Sequence, residues 1–160
     1  MLQRQVNHMN ISDAAARRLS SGNRTCRELK DYLLKKNFDE EKINAVIAEF
    51  KDYGYLDDRR YCSEYFDYAF SRGKSKNRAF YELRTKGVAQ NDIDVAYDEY
   101  EGDKSERKRA MGECLKILGN EGIEDGDPVP EKLLGRIGRN LKNKGYSIDI
   151  IYSIIGEMRK

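Results

Sequence analysis

Gly54-Tyr55-Leu56-Asp57-Asp58-Arg59-Arg60-Tyr61 closes one helix and opens another. The helical pattern before it ends at Phe50 to Tyr53. Gly54 can take the left-handed conformation that terminates a helix, and Tyr55 and Leu56 supply the apolar contact behind such a turn. Asp57 or Asp58 then offers a side-chain oxygen to the next helix, along which Tyr61, Tyr65, Phe66, Ala69 and Phe70 recur at helical spacing as far as Arg72-Gly73. Two helical modules therefore meet at this joint.

Working outward, the chain repeats itself. Leu29, Leu33, Asn37-Phe38, Ile43, Val46, Ile47 and Phe50 overlay Ala79, Leu83, Gly87-Val88, Ile93, Ala96, Tyr97 and Tyr100 at a constant shift of 50 residues. A further shift of 58 reaches Ile137, Leu141, Gly145-Tyr146, Ile151, Ile154, Ile155 and Met158. Each copy reads as a helix, a tight turn at Asn37, Gly87 or Gly145, and a second helix with apolar residues at i, i+3, i+4 and i+7. Thr25 to Glu28 forms a capping-box pattern, Ser75 can start the middle pair, and Asp39 and Ser147 precede the later helices. A further helical pattern precedes each pair, roughly Asp13 to Ser21, Asp58 to Arg72 and Ser105 to Leu118.

The expected fold is all-α: three tandem three-helix repeats, resembling helix-turn-helix units, in an elongated, curved array. Repeat 1 spans residues 12–53, repeat 2 residues 54–102, and repeat 3 residues 103–160 with a loop at 119–130. Residues 1–11 are set aside as an N-terminal extension, allowing for an expression-derived addition within Met1 to Met9.

Composition narrows the class. Of 160 residues, 36% are charged, and no apolar run approaches the ~20 residues of a membrane span. Without an apolar leader, a cytoplasmic location is expected. Cys26, Cys62 and Cys114 are odd in number and widely spaced, so buried thiols are expected rather than disulfides or a zinc site.

Charge is distributed unevenly although the net value is only +2. Arg72, Lys74, Lys76, Arg78, Arg84 and Lys86 face the single acid Glu82 between positions 72 and 86, whereas residues 87–103 hold six acids and no base. The third copy likewise carries Lys132, Arg136, Arg139, Lys142 and Lys144 on its middle helix. Two readings stand: a solvated face with internal ion pairs, or positive patches presented to a polyanion or an acidic groove.

Catalytic patterns fail on inspection. Gly73-Lys74-Ser75 resembles the end of a phosphate-binding loop, but the earlier glycine it needs is Tyr68 and no strand precedes it. The single histidine, His8, lies in the set-aside segment. Asp57-Asp58 is read as capping rather than paired catalytic carboxylates, and Glu124, Asp125 and Asp127 lack calcium-loop spacing. Tyr61, Tyr65, Tyr97, Tyr100 and Tyr146 fall on apolar faces and are assigned to the core.

The joint Gly54 to Tyr61, then Arg72-Gly73-Lys74, then Leu83-Arg84-Thr85-Lys86-Gly87-Val88, resembles the central signature of the bacterial RecX regulatory proteins, with Gly54, Tyr55, Leu56, Asp57, Asp58, Arg59, Gly73 and Gly87 as its structural residues. The resemblance extends over about residues 12–160, including Tyr32 to Phe38 and Asn143 to Ser147. Asn37 replaces the family's usual glycine, Cys62 stands where a small residue is common, and the loop at 119–130 departs from the pattern. The resemblance implies a non-enzymatic modulator of the RecA recombinase, with no cofactor, acting in recombination, DNA repair and the SOS response. Such proteins bind in the groove of the RecA filament on single-stranded DNA and restrain ATP hydrolysis and strand exchange. The ten basic residues at positions 72–86 and 136–144 are then the candidates to face filament or DNA, single- or double-stranded, without sequence specificity; no membrane partner and a monomeric state are expected. The rival reading is a helix-turn-helix DNA-binding protein, against which stands the acidity of the helices after the turns.

Overall fold

The computed structural model describes residues 11–160, so His8 and almost all of the set-aside extension lie outside the described residues. Among the described residues there are nine α-helices and no strand. They are α1 (Ile11–Ser20), α2 (Cys26–Lys35), α3 (Glu40–Asp52), α4 (Asp58–Ser71), α5 (Lys76–Thr85), α6 (Gln90–Glu99), α7 (Glu106–Asn120), α8 (Glu131–Asn143) and α9 (Ile148–Met158). α1 begins at Ile11, inside the expected extension, and α7 continues through Gly119 to Asn120, so the following loop starts later than position 119.

The described residues fall into two compact units, one reaching Glu64 and including Leu83–Tyr100, the other made of Tyr65–Glu82 and Glu101–Lys160. In the first, α1, α2 and α3 pack on one another around Ile11, Ala15, Leu29, Leu33, Ile43, Val46, Phe50 and Leu56. In the second, α7, α8 and α9 pack around Ala110, Cys114, Leu133, Ile137, Leu141, Tyr146, Ile151 and Ile154. The apolar register read from the sequence is the buried register: Leu29, Leu33 and Ile43, then Ala79, Leu83 and Ile93, then Ile137 and Leu141 are all fully buried. At ~25 cal/mol per Å² of apolar surface, withdrawal of these stripes from water is the main force holding each helix in place.

Turns and caps explain where the helices stop. Gly54, Gly87 and Gly145 have φ of 77°, 88° and 94°, and Asn37 takes the same left-handed region at 65°, which asparagine tolerates better than most side chains. Behind Gly54, the amides of Tyr55 and Leu56 both donate to the Phe50 carbonyl at 2.8 and 3.2 Å, with Leu56 buried beneath. The Asp57-Asp58 alternative resolves as a division of labour. Asp57 accepts from the Arg60 amide at 3.1 Å and caps α4, while Asp58 accepts from the Cys26 amide at 2.9 Å and ties α4 to the start of α2. Ser147 and Ser105 cap α9 and α7. Asp39 occupies the cap position of α3 but makes no side-chain cap bond, and its carboxylate is left to act on the helix through charge alone.

One device occurs once in each unit. Thr25, fully buried, caps α2 in a reciprocal box with Glu28, and its hydroxyl also donates to the Lys86 carbonyl at 2.7 Å. A Cβ on the adjacent Gly87 would stand 2.5 Å from Arg27 Cβ. Ser75, 1% exposed, caps α5 by accepting from the Arg78 amide at 3.0 Å, and its own amide donates to the Lys144 carbonyl at 2.9 Å. A Cβ on the adjacent Gly145 would overlap Ser75 Oγ and stand 2.8 Å from Arg78 Cβ. A hydroxyl residue at a helix start thus sits against a glycine turn from far along the chain.

Gly145→Ala is expected to lower stability by about 1 kcal/mol or more, because positive φ and this contact add. Gly112→Ala, in helical backbone with open space around the new methyl, should instead raise it by about 0.5–1 kcal/mol. Equilibrium urea unfolding of the two variants distinguishes the signs.

Candidate functional site: a basic, tyrosine-bearing surface

In the second unit, the end of α4, the turn Arg72-Gly73-Lys74-Ser75 and the first turns of α5 form one surface. The turn is fixed from behind. Gly73 has φ of 76°, and a Cβ there would overlap the Glu113 side chain. Tyr146, buried, donates its hydroxyl to the Gly73 carbonyl at 2.7 Å, and the Lys144 ammonium donates to the Arg72 carbonyl at 2.8 Å. Arg109, whose side chain is 9% exposed, stacks its guanidinium 3.7 Å from the Phe70 ring centroid, pairs with Glu106 at 2.7 Å and donates to the carbonyl of Asp103 at 3.2 Å. Burial, above all, drives the Tyr146 hydroxyl far above its ordinary range, so it remains a donor.

Glu82 sorts the basic residues of this surface. Its carboxylate accepts from both the Lys74 ammonium, at 2.9 and 3.0 Å, and the Tyr65 hydroxyl, at 3.0 Å, with Arg78 Nε 3.8 Å away. Burial acts to raise its pKa, but the hydrogen bonds from Lys74 and Tyr65 and the charges of Lys74 and Arg78 outweigh that and hold it below the usual carboxylate range. Lys74 is consequently engaged inward. Arg72 remains exposed and lies over the Tyr68 ring at 4.9 Å; Arg78 lies over the Tyr81 ring at 5.9 Å. Tyr68 and Tyr81 are 46% and 57% exposed.

The ten basic candidates are therefore not equivalent. Lys74 and Lys144 are occupied in holding the turn. Lys76 places its ammonium 5.2 Å from the Phe80 centroid, and Arg136 pairs with Glu121 at 2.8 Å. Arg139 and Lys142 are exposed on α8. Arg84 and Lys86 belong to the first unit, where Arg84 donates to the Gln90 side chain at 3.1 Å and the Lys86 carbonyl receives Thr25. Sequence reading missed Arg109 and Tyr65 as organisers: i,i+3 spacing links Arg109 to Glu106, but no local pattern links it to Phe70 or links Tyr65 to Glu82.

The signature residues of the joint are structural in the first unit. Arg59 pairs with Asp92 at 3.0 Å, and Arg60 donates to the Gly54 carbonyl at 2.9 Å. Tyr55, 62% exposed, packs edge-on against Phe50 with centroids 5.6 Å apart. Asn23, Arg24, Tyr55, Asp57, Arg60, Tyr61 and Glu64 line a shallow polar recess beside it. Of the tyrosines assigned to the core, Tyr146 is buried, and Tyr61, Tyr65, Tyr97 and Tyr100 are half-buried. Cys26, Cys62 and Cys114 are free, the first half-buried and the others buried. Burial first, and Asp58 second, pushes the Cys26 and Cys62 thiols up to about 12, so neither is a thiolate nucleophile at neutral pH. Among the described residues no cluster of three or more His, Cys, Asp or Glu side chains is placed to hold a metal, and no helix is long and apolar enough to cross a membrane.

Glu82 gives a signed pH prediction. Its folded pKa lies below the unfolded 4.5, so its contribution is fully present above pH 4.5 and is lost as pH falls through the folded value. Urea unfolding on either side of that pH is expected to show a smaller acid loss for Glu82→Gln than for the parent, and equal losses would contradict the network.

Comparison with known proteins identifies the family. Residues 13–50 match the model of the RecX first three-helix domain and residues 57–96 that of the RecX second three-helix domain. A regulatory protein RecX of Clostridium botulinum is 32% identical over 148 residues, covering 91% of this chain and 66% of that protein. One from Clostridium tetani is 27% identical, covering 99% and 71%, and one from Streptomyces lividans 30% identical, covering 82% and 68%. The crystal structure of RecX from Lactobacillus salivarius superposes with a TM-score of 0.75 at 24% identity, covering 96% of this chain and 97% of that one, which shows the shared fold. The chain belongs to the RecX family.

Proposed function

We propose that this chain is a cytoplasmic, monomeric, non-enzymatic regulator of recombination that binds the RecA filament on single-stranded DNA and restrains its ATP hydrolysis and strand exchange. Membership of a family of regulatory proteins is the observation that carries this reading. The surface charge supports it: Arg72 and Arg78 project from a braced turn and helix, and a filament offers an acidic groove and phosphates to such cations. We also take α7, α8 and α9 as a third repeat, because the residues at the shifted register form their common core. Three similar modules could engage successive protomers and gain affinity by linkage rather than through one large interface.

The helix-turn-helix alternative fares less well on charge. α6, which follows the Gly87 turn, carries Asp92, Asp94, Asp98 and Glu99 without a basic residue, and α3 opens with Glu40 and Glu41. Acids at these positions oppose approach to DNA phosphates.

The parent protein is expected to lower the single-stranded-DNA-dependent ATPase of RecA and to have no nucleotide hydrolysis of its own. Reversing Arg72 and Arg78 to Glu should weaken this inhibition while leaving the melting temperature near normal, since exposed ion pairs contribute ~0–1 kcal/mol. Binding should also weaken as salt rises. Reversing Glu99 and Glu101 to Lys should be neutral or slightly favourable. No effect on RecA at saturation, or a greater loss from the acidic pair, would contradict the proposal.

A further inference from the structure

We infer that Tyr53 and Tyr55, with the carboxylates of Glu49, Asp52 and Asp57, form a docking surface for an arginine-bearing segment of another protein. The surface lies on the first unit, at the end of α3 and in the turn that follows it. It is assayed with peptides and no recombinase, so its failure and failure of the filament reading are separable.

The two rings are 65% and 62% exposed, with centroids 5.8 Å apart and planes inclined at 40°. They are held in place from below. Tyr55 packs edge-on against the buried Phe50 ring and donates its amide to the Phe50 carbonyl, while Arg60 donates to the carbonyl of Gly54, the residue between the two tyrosines. Aromatic side chains fixed in this way lose little conformational freedom on contact, which suits them to anchor a partner. What they lack is a cation. Tyr32, Tyr68 and Tyr81 each have a cation of this chain over the ring, whereas among the described residues none lies over Tyr53 or Tyr55.

The surroundings supply the charge that attracts one. Glu49 precedes Tyr53 by one turn of α3 and shares its face, and Asp52 stands about 100° from Tyr53 around the helix axis. Both carboxylates are exposed and make no ion pair among the described residues. Lys51 lies about 160° around the axis from Tyr53, and its charge is felt at the Cys26 thiol instead. Asp57 lines the recess beside Tyr55 together with Glu64, Arg24 and Arg60, and the two arginines donate to the backbone carbonyls of Asn23 and Gly54. Carboxylates beside unfilled rings repel phosphate and attract cations, so the occupant is a basic polypeptide rather than a nucleic acid. A guanidinium suits the surface better than an ammonium, because it stacks flat on a ring while its edge donates two bonds to a carboxylate. The chain as a whole carries a net charge of +2, so a cationic peptide is not drawn by bulk charge and its binding reports a local surface.

The test uses the full chain with labelled hexa-arginine, hexa-lysine and hexa-citrulline, the last keeping the shape of arginine without its charge. Fluorescence anisotropy is measured at several salt concentrations. Hexa-arginine is expected to bind most tightly and hexa-citrulline least. Tyr53→Leu and Tyr55→Leu should each weaken hexa-arginine about two- to fivefold, the range of a cation over an exposed ring, whereas Tyr53→Phe and Tyr55→Phe should retain binding. Glu49→Gln combined with Asp52→Asn should weaken it and flatten its salt dependence. Tyr152→Leu, which removes an exposed ring from the other unit, should change nothing. Melting curves establish that the variants are folded. Equal affinity for the arginine and citrulline peptides would overturn the assignment without needing any variant. So would folded leucine variants that bind hexa-arginine normally, or the absence of saturable hexa-arginine binding. An oligothymidylate that binds the parent and is lost from Tyr53→Leu would give the rings to nucleobases and overturn it as well.

Discussion

A hydroxyl residue at the start of a helix, seated against a glycine turn from a distant part of the chain, is the constraint on which each unit depends. Thr25 satisfies the Glu28 amide and the Lys86 carbonyl with one buried oxygen; Ser75 caps α5 while its amide binds the Lys144 carbonyl. Buried polar atoms are tolerated only when paired, so the helix start and the turn must come together in one register. Glycine at 87 and 145 serves two needs at once: it permits positive φ, and it leaves room for the side chains of Arg27 or of Ser75 and Arg78. Apolar burial assembles the helices, but burial is non-directional, and these bonds specify which turn meets which helix.

The same seat prepares the outer surface of the second unit. With Ser75 held at Lys144, the preceding turn is braced by Lys144, Tyr146 and Arg109, and Arg72 projects from a backbone with little freedom to move. Lys74 and Arg78, alike in charge, are separated by geometry: the former joins Tyr65 in donating to Glu82, the latter lies only at the edge of that cluster. Counting positive residues overstates the charge available to a partner, because part of it stabilises the turn that displays the rest.

Much of the fold was legible in the sequence because local rules and the apolar period agreed. Asn37, Gly54, Gly87 and Gly145 mark left-handed turns, Thr25 and Ser147 mark helix starts, and the repeated register marks the buried stripes. The site was less legible. The i,i+4 spacing of Arg78 and Glu82 indicates one pair, yet nothing local reveals that Lys74, from the turn, and Tyr65, from the previous helix, close on the same carboxylate. Asp57 and Asp58 are adjacent and chemically identical, and only the position of Cys26, more than thirty residues away, separates their roles. Tyr68 and Tyr81 escaped notice for a related reason: sequence pattern favours burial of aromatics and does not signal the ones left outside.

Equilibrium unfolding of Thr25→Val against Thr25→Ser tests the central constraint most directly. Valine keeps the shape of threonine but removes the oxygen, leaving the Glu28 amide and the Lys86 carbonyl without this partner. A loss of about 1–3 kcal/mol for Thr25→Val is expected, with most of the stability retained in Thr25→Ser. Equal stability of the valine and serine variants would contradict the account.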